Sequence, residues 1–373
     1  MSTSLEVHFS TITDPRQQVK VAHKLMDIIT LCVCGVVCGA DGWSDIEEFG
    51  RTHAEWLQSK GLFLNGIPVD DTIARVMSRL DPVEFQSSFI QWMKSVQQST
   101  NGEVIAIDGK TLRHSFDKKS SKAAIHMVSA FASQNGVVMG QIKTDEKSNE
   151  ITAIPALLKL LDIRGAIVTI DAMGCQEKIT DQIFSGGADY AIAVKDNQRT
   201  LHDDIKYFFT EAQAQGFKGL TYKYYEEIDK GHGRVEIRRY WVSEHLECLA
   251  KPEKWKGLQS IGMAENEIFR DGKTTIERRY YIISFPPDAK VFANAIRSHW
   301  HIENCLHWVL DMSFREDECR IRKAHGAENM SVVRHLALNL LKQEKSHKRG
   351  IKGKRYKAAL DISYAEKVLT PIL

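Results

Sequence analysis

The stretch EVIAIDGKTLR, residues 103–113, is an apolar run that stops on a bare carboxylate, Asp108. A second stretch, AIVTIDAMGCQ at residues 166–176, repeats the pattern with Ile-Asp and then a small residue, at Asp171. Both runs are short and apolar, which is typical of buried strands. Side chains at strand ends leave the core of an α/β sheet and enter a cleft, so we expect both aspartates to belong to one site.

A mixed α/β sheet is predicted around these two stretches. Three strand-like runs come first, and strands and helices then alternate, which is typical of such a sheet. After the PPD break at residues 286–288, a long helix is expected over about 289–312. We predict strands at residues 104–107, 124–130, 137–142, 166–170 and 190–194, with helices at 151–161 and 177–184 between the last three.

The regions on either side of this pattern differ from it. Residues 1–98 have the apolar spacing of helices, interrupted by GADG at residues 39–42, and predict a compact helical module. Residues 201–285 are β-rich and contain the hairpin turn RDGK at residues 270–273. We interpret this second region as an insertion into the α/β sheet.

Composition and charge are those of an ordinary soluble globular protein. The chain has 373 residues, 43% hydrophobic and 26% charged, and a net charge of only +2. The charge is uneven, because residues 342–357 hold eight Lys or Arg against one Glu. Such a tail is either a solvated end or an arm that binds phosphates, since polyanions favour clustered cations.

Cysteine usage and hydropathy narrow the class of protein further. The seven cysteines include no C-x-x-C pair, so neither a zinc site nor a disulfide framework is indicated. We therefore expect a cytoplasmic protein with reduced thiols. Residues 28–40 are hydrophobic but too short to cross a bilayer, and we predict a buried helix and no membrane association.

The predicted long helix carries a third carboxylate, Glu303. It shares a stripe with Phe292, Ile296, His299 and Leu310, because these residues are spaced by four, three, four and seven positions. We therefore expect Glu303 to face the sheet, where a lone carboxylate is costly unless it is paired, protonated or bound to a cation. A salt bridge to an arginine is the alternative to a functional role.

Three carboxylates, two at strand ends and one on this helix, predict an oxygen-rich pocket. Hard divalent cations such as magnesium take such pockets, with water and substrate phosphate as their remaining ligands. The histidines at 299, 301 and 307 also suggest zinc, but Trp300, Ile302 and Trp308 lie among them, and packing within the helix is the favoured interpretation.

Nine motifs between Asp14 and about Leu341 resemble those of bacterial insertion-sequence DDE transposases of the H-repeat-associated type. They are DPRQQVKVAHKL, GADGWSDIEEFG, NGIPVDDTIARV, AIDGKTLRHS, QIKTDEKSNEITAIP, TIDAMGCQ, AVKDNQ, RSHWHIENCLHWVLDMSFRED and RIRKAHGAEN. The resemblance covers nearly the whole chain. It implies an RNase H-like core in which Asp108, Asp171 and Glu303 are the catalytic, metal-binding acids.

The resemblance also implies a domain order and a reaction. An N-terminal helical domain (1–98) would precede the first part of the core (99–200), a β-rich insertion (201–285), the second part of the core (286–341) and a basic tail (342–373). Two magnesium ions, replaceable by manganese, would support strand cleavage and transfer at the DNA ends of an insertion element. Handling two ends and a target makes double-stranded DNA the expected partner and a homodimer the expected assembly.

Polar residues beside the acids are candidates for holding DNA phosphates, and solvated surface is the alternative for each. They are Lys110, Arg113, Lys195, Asn197 and Gln198. Around the catalytic Glu, relatives often place Tyr, Arg and Lys, where this chain has Ile296, His299 and Leu310, so those roles are not transferred. Asp196 also replaces a Gly that is usual beside the site.

Two other functions remain open from the sequence. The chain could be an inactive remnant that binds DNA ends without cutting them, although an intact set of three acids argues against this. It could also be a nuclease on the same fold that does not join strands.

Overall fold

A mixed sheet runs through the computed structural model, which describes residues 5–96, 100–116, 123–144, 150–231 and 233–373. Within these ranges the sheet has nine strands in the order β3-β2-β1-β4-β5-β9-β8-β7-β6. The strands are β1 Val104–Leu112, β2 Ile125–Ala132, β3 Val137–Lys143, β4 Ile167–Ile170, β5 Asp189–Val194, β6 Tyr222–Gly231, β7 Arg234–Ser243, β8 Ser260–Arg270 and β9 Lys273–Ile283. The predicted mixed α/β sheet is confirmed.

Parallel pairing is confined to the centre of the sheet. β4 lies between β1 and β5 and is parallel to both. β2 and β3 continue outward from β1 in antiparallel pairs. These central strands are almost entirely buried, as expected for strands covered on both faces.

The β-rich region extends the same sheet. β9 pairs antiparallel with β5, and β8, β7 and β6 follow as an antiparallel meander. The sequence interpretation missed the helix that begins this region, Arg199–Ala214. Its buried Leu201, Ile205 and Phe209 have helical spacing, so the signal was present.

α-Helices stand before, between and after the strands in the described ranges, and α10 and α12 contact the sheet. Before β1 lie α1 Leu5–Phe9, α2 Leu25–Val37, α3 Trp43–Thr52, α4 Ala54–Ser59, α5 Asp70–Met77 and α6 Pro82–Val96. After β3, β4 and β5 come, in turn, α7 Glu150–Leu160, α8 Glu177–Ser185 and α9 Arg199–Ala214. After β9 come α10 Ala289–Ile302, α11 Trp308–Phe314, α12 Gly326–Gln343, α13 Ile351–Leu360 and α14 Ile362–Leu369.

Helix α12 joins the N-terminal helices to the sheet. Its Asn339 side chain accepts from the backbone N–H of Val138 at 2.9 Å and donates to the carbonyl of the same residue, which satisfies the outer edge of β3. Asn329 donates to the carbonyls of Met77 and Leu80. Both amides are fully buried, so these bonds form where water does not compete.

The basic C-terminal segment is folded into helices and is not a free solvated end. Lys345, Lys348, Arg349 and Lys352 are exposed, and phosphate binding by them stays a prediction. Arg355 of α13 is 6% exposed and donates to the carbonyls of Val36 and Ala40 at 3.0 and 3.1 Å. It also donates to the carbonyl of Ser313 and lies 3.2 Å from Asp41. One arginine thus ties the end of the chain to the N-terminal helices and to α11.

The predicted hydrophobic helix near residues 28–40 is α2, with its central residues buried. In the described ranges, none of the helices combines the length and the apolar character needed to cross a bilayer.

We predict that Arg355→Met destabilises the protein by about 3 kcal/mol, because three buried carbonyls lose a charged donor. Urea unfolding followed by circular dichroism would measure the loss. Lys352→Met is the matched control, since Lys352 is exposed on the same helix and should change stability by less than about 0.5 kcal/mol. Equal stability of both variants would mean that the segment is not part of the fold.

Candidate active site

Asp108 and Asp171 are brought together by the parallel pairing of β1 with β4. Ile107 pairs with Ile170, so the two aspartates are the next residues on neighbouring strands. Asp171 leaves the sheet there, and its Oδ1 accepts from the backbone N–H groups of Met173 and Gly174 at 3.0 and 3.4 Å. The prediction that Asp108 ends its strand is wrong, because β1 continues to Leu112 in its pairing with β2.

Glu303 comes to the same region from the end of α10, which packs on the face of the sheet that carries Thr169, but not as predicted. The expected single helix is interrupted after α10 by a π turn, Glu303–His307, before α11 begins. A π turn widens the helix by one residue and changes which side chains face the sheet. Glu303 is exposed rather than inward, whereas Ile302 and Leu306 are fully buried.

A cavity of about 320 Å³ joins the three acids. Asp108, Asp171 and Glu303 all line it, together with Lys195 and His299. The carboxylates predicted from distant parts of the sequence therefore share one concave surface, although Glu303 lies at its exposed side.

The charge of these acids is not neutralised by cations of the chain. Burial, together with the negative charges of Glu150, Asp171 and Glu303, raises the pKa of Asp108 to about 7, against a hydrogen bond from the Gly109 N–H. Burial and Glu150 also raise the pKa of Asp171. Among the described residues, no Lys or Arg forms a salt bridge with any of the three acids.

Glu150 is a nearby acid that the sequence interpretation did not single out. It is the first residue of α7, and its Oε1 is 2.7 Å from Nε2 of His126 on β2. Gly109 makes room for this pair, because a Cβ there would lie 2.1 Å from the Glu150 oxygen. The only signal was its place in QIKTDEKSNEITAIP, of which residues 145–149 lie outside the described ranges.

Two histidines of the Glu303 helix approach the cavity. Nδ1 of His299 is 3.1 Å from Oγ1 of Thr169 on β4. Nδ1 of His307 is 3.6 Å from Asp108, while its Nε2 is buried with no hydrogen-bond partner among the described residues. Burial lowers the pKa of each to about 4, so both rings are neutral near pH 7.

Lys110, predicted to hold DNA phosphate, is instead enclosed by carboxylates. Its Nζ lies 2.5 Å from Asp311, 2.9 Å from Glu316 and 3.5 Å from Asp317, and only 11% of the side chain is exposed. Although burial alone would raise the pKa of Glu316, Lys110 and Arg334 lower it to about 2. The ammonium group is engaged within the fold and is not presented at the surface.

The other predicted DNA contacts divide into two kinds. Arg113 is 76% exposed, and Lys195 is exposed on the cavity wall. Asn197 donates to the carbonyl of Ala172 at 2.7 Å and Gln198 to that of Cys175 at 2.9 Å. These two amides therefore hold the loop after Asp171. Lys195 forms no salt bridge among the described residues, whereas the exposed Arg113 is paired with Asp317 at 3.1 Å.

The cavity offers the right donors for a divalent cation without presenting a finished site. In the described part of the chain, no three His, Cys, Asp or Glu side chains are grouped closely enough to hold a metal ion. Carboxylate oxygens are nevertheless the ligands that magnesium prefers. The pKa of Asp108 is raised first by burial and then by the neighbouring carboxylates, and a bound cation would offset both effects. The donor set fits such a cation, provided that the side chains converge on it.

We predict that Asp108→Asn stabilises the protein in EDTA at pH 8. A carboxyl with a raised pKa binds its proton more tightly in the folded state, so the free energy of unfolding falls as pH rises from about 4 to about 7. The variant loses this penalty and should melt several degrees higher at pH 8, with the difference vanishing near pH 4. Calorimetry with Asp196→Asn, an exposed control, would check this; a pH-independent difference would contradict it.

We also predict that Lys110→Met costs about 3–5 kcal/mol of stability, because Glu316 stays buried with an incomplete set of partners. Arg113→Met should change stability by less than about 0.5 kcal/mol, since that side chain is largely exposed. Denaturant unfolding of both variants would compare them. If the Lys110→Met variant were as stable as the native protein, Lys110 would not be needed to compensate Glu316 and would again be a candidate for a DNA contact.

Comparison with known proteins identifies the family. The family model described as "Transposase DDE domain" matches residues 99–340, and the one described as "DDE_Tnp_1-associated" matches residues 7–93. A protein of Escherichia coli O157:H7 named "Putative transposase YncI" is 50% identical over 98% of this chain and 94% of its own length. "H repeat-associated putative transposase YhhI" of Escherichia coli K12 is 48% identical over 97% of this chain and 96% of its own length.

A solved structure, a piggyBac transposase synaptic complex with hairpin DNA, aligns with 99% of this chain and 78% of its own at a TM-score of 0.42 and 12% identity. We draw nothing from so distant a likeness. The family match covers more than half of the chain, and the relatives are similar from end to end. The chain therefore belongs to the insertion-sequence DDE transposases.

Proposed function

We propose that this chain catalyses metal-dependent DNA strand cleavage and strand transfer at the ends of an insertion element. Asp108, Asp171 and Glu303 are the proposed catalytic acids. The observation that carries the proposal is their placement on one cavity with no salt-bridged cation among the described residues, in a chain of a transposase family. The carboxylates of such a cavity repel a DNA phosphate unless cations bind between the carboxylates and the phosphate.

The proposed core is RNase H-like and is divided in the chain. Residues 99–200 and 286–341 would form it, and residues 201–285 would extend its sheet. The element order β1, β2, β3, α7, β4, α8, β5 supports this assignment, because it is the order on which the family resemblance rests. Residues 1–98 and 342–373 would form the helical flank that packs against β3 and α11.

Asp108, Asp171 and Glu303 would hold two magnesium ions, or manganese in their place. Ions bound there would activate a water molecule, or a DNA 3′-hydroxyl, as nucleophile and stabilise the leaving oxygen. The chain contributes the orientation of the acids: the backbone N–H groups of Met173 and Gly174 fix the Asp171 carboxylate, and the amide of Asn197 fixes the loop behind it.

Arg113 and Lys195 are the cations proposed to hold DNA phosphates. Lys195 is the nearer to the acids, since its charge opposes the rise in the pKa of Asp171. Lys195 forms no salt bridge among the described residues, and Arg113 is 76% exposed with one partner, Asp317, whereas Lys110 is enclosed by three carboxylates. The homodimer stays a prediction from the need to handle two DNA ends.

We expect purified protein to cut DNA containing the sequences that flank its coding region, in magnesium or manganese, and to join the freed 3′ ends to target DNA. Asp108→Asn, Asp171→Asn and Glu303→Gln should each lower both activities by about 10³-fold or more, since each removes a charge from the proposed cation site. Gel analysis of labelled DNA would measure both products.

Glu253→Gln is the matched control. Glu253 is an exposed acid in the turn Pro252–Lys254, between β7 and β8, and does not line the cavity. Cutting that survives all three acid variants would refute the assignment. Cutting without joined product would favour a nuclease, and binding without cutting would favour an inactive remnant.

A further inference from the structure

A buried hydrogen bond links the helix of Glu303 to the strand of Asp171. It joins Nδ1 of His299 on α10 to Oγ1 of Thr169 on β4, at 3.1 Å. Thr169 is 2% exposed, and His299 is half-buried at the cavity wall. Because the two acids lie on different elements, the distance between them depends on how α10 is held against β4.

On both elements, the residue that makes this bond precedes the acid in the chain. Thr169 precedes Asp171 by two residues, so their side chains leave the same face about 6.6 Å apart along the strand. His299 precedes Glu303 by four residues, which is about 6 Å along a helix, and both side chains line the same cavity. The hydrogen bond between Thr169 and His299 therefore sets the distance between Asp171 and Glu303.

The sheet beneath α10 is shaped to admit this contact. Thr169 is flanked by Ala106 on β1 and Ala191 on β5, and both alanines are fully buried. This row of small side chains leaves room for the imidazole to reach the threonine. A second tether lies alongside, where the hydroxyl of Ser133 donates to the carbonyl of Ser298 at 2.9 Å.

His299 is also at the last regular turn before the helix widens. α10 ends at Ile302, and the π turn begins at Glu303 itself. A fixed point four residues earlier limits how far the wider turn can carry the carboxylate from β4. Burial lowers the pKa of His299 to about 4, so the neutral ring is suited to a hydrogen bond with a hydroxyl and not to holding a phosphate.

We propose that His299, through its hydrogen bond to Thr169, is a positioning residue that sets the spacing of Asp171 and Glu303 and does not contact DNA. The catalytic importance of that spacing rests on the proposed function. The hydrogen bond that holds α10 on β4 does not.

The test compares four variants of the full chain. Thr169→Val removes the hydroxyl at nearly constant volume. His299→Gln places its amide where Nε2 stands, too far for the bond, whereas His299→Asn places its amide near Nδ1 and should restore it. The double variant Thr169→Val/His299→Gln measures whether the two residues act together.

Two readouts are expected to agree. Thr169→Val and His299→Gln should each raise the manganese concentration for half-maximal cleavage by about tenfold, the double variant should be no worse than either, and His299→Asn should stay within about threefold of the native protein. DNA affinity in EDTA should be unchanged throughout. Hydrogen exchange of the peptide covering residues 296–307 should be faster in Thr169→Val, His299→Gln and the double variant, and unchanged in His299→Asn.

Each failure has its own signature. Lost DNA affinity in both His299 variants with normal Thr169→Val would overturn the proposal and make His299 a DNA contact. Additive effects in the double variant would also overturn it. If the native protein does not cut DNA, the proposed function fails, and hydrogen exchange still decides the link: acceleration in Thr169→Val and His299→Gln but not His299→Asn supports it, and unchanged exchange refutes it.

Discussion

The parallel pairing of β1 with β4 is the constraint on which the site depends. With Ile107 opposite Ile170, the next residue on each strand is an aspartate. Side chains alternate between the two faces of a sheet, so a slip of one residue would send one carboxylate to the opposite face. The register is secured by burial: the residues just before each aspartate are apolar except Thr169, and all but Ile167 are buried.

Lys110 is paired with carboxylates other than these three acids, whereas Lys195 lines their cavity. Lys110 lies two residues after Asp108 on the same strand and would be the natural partner for it. Instead Asp311, Glu316 and Asp317 surround its ammonium group, and Arg334 assists in compensating Glu316. The negative charge of the cavity is thus preserved at a cost in stability, which is common where a site must receive a charged ligand.

The helix of Glu303 is held by contacts from several parts of the chain. Thr169 and Ser133 fix α10 on the sheet, and Lys342 donates to the carbonyl of Cys305 in the π turn at 2.8 Å. Burial lowers the pKa of Lys342 to about 8, which indicates how far this lysine is removed from water. A residue from the start of the basic segment therefore supports the turn that carries the third acid.

Local patterns in the sequence determined the central strands and most helices, and they marked Asp108, Asp171 and Glu303 as candidates whose catalytic role stays a proposal. Apolar periodicity depends only on neighbouring residues, so it can be read without the fold. The tertiary structure alone decided which charges meet. Lys110 and Asp311 are 201 residues apart, and Arg355 and Asp41 are 314 apart, so no local pattern could pair them. It also decided that Glu303 stands in a π turn and that Glu150 lies beside Gly109, because both follow from how helices pack on the sheet.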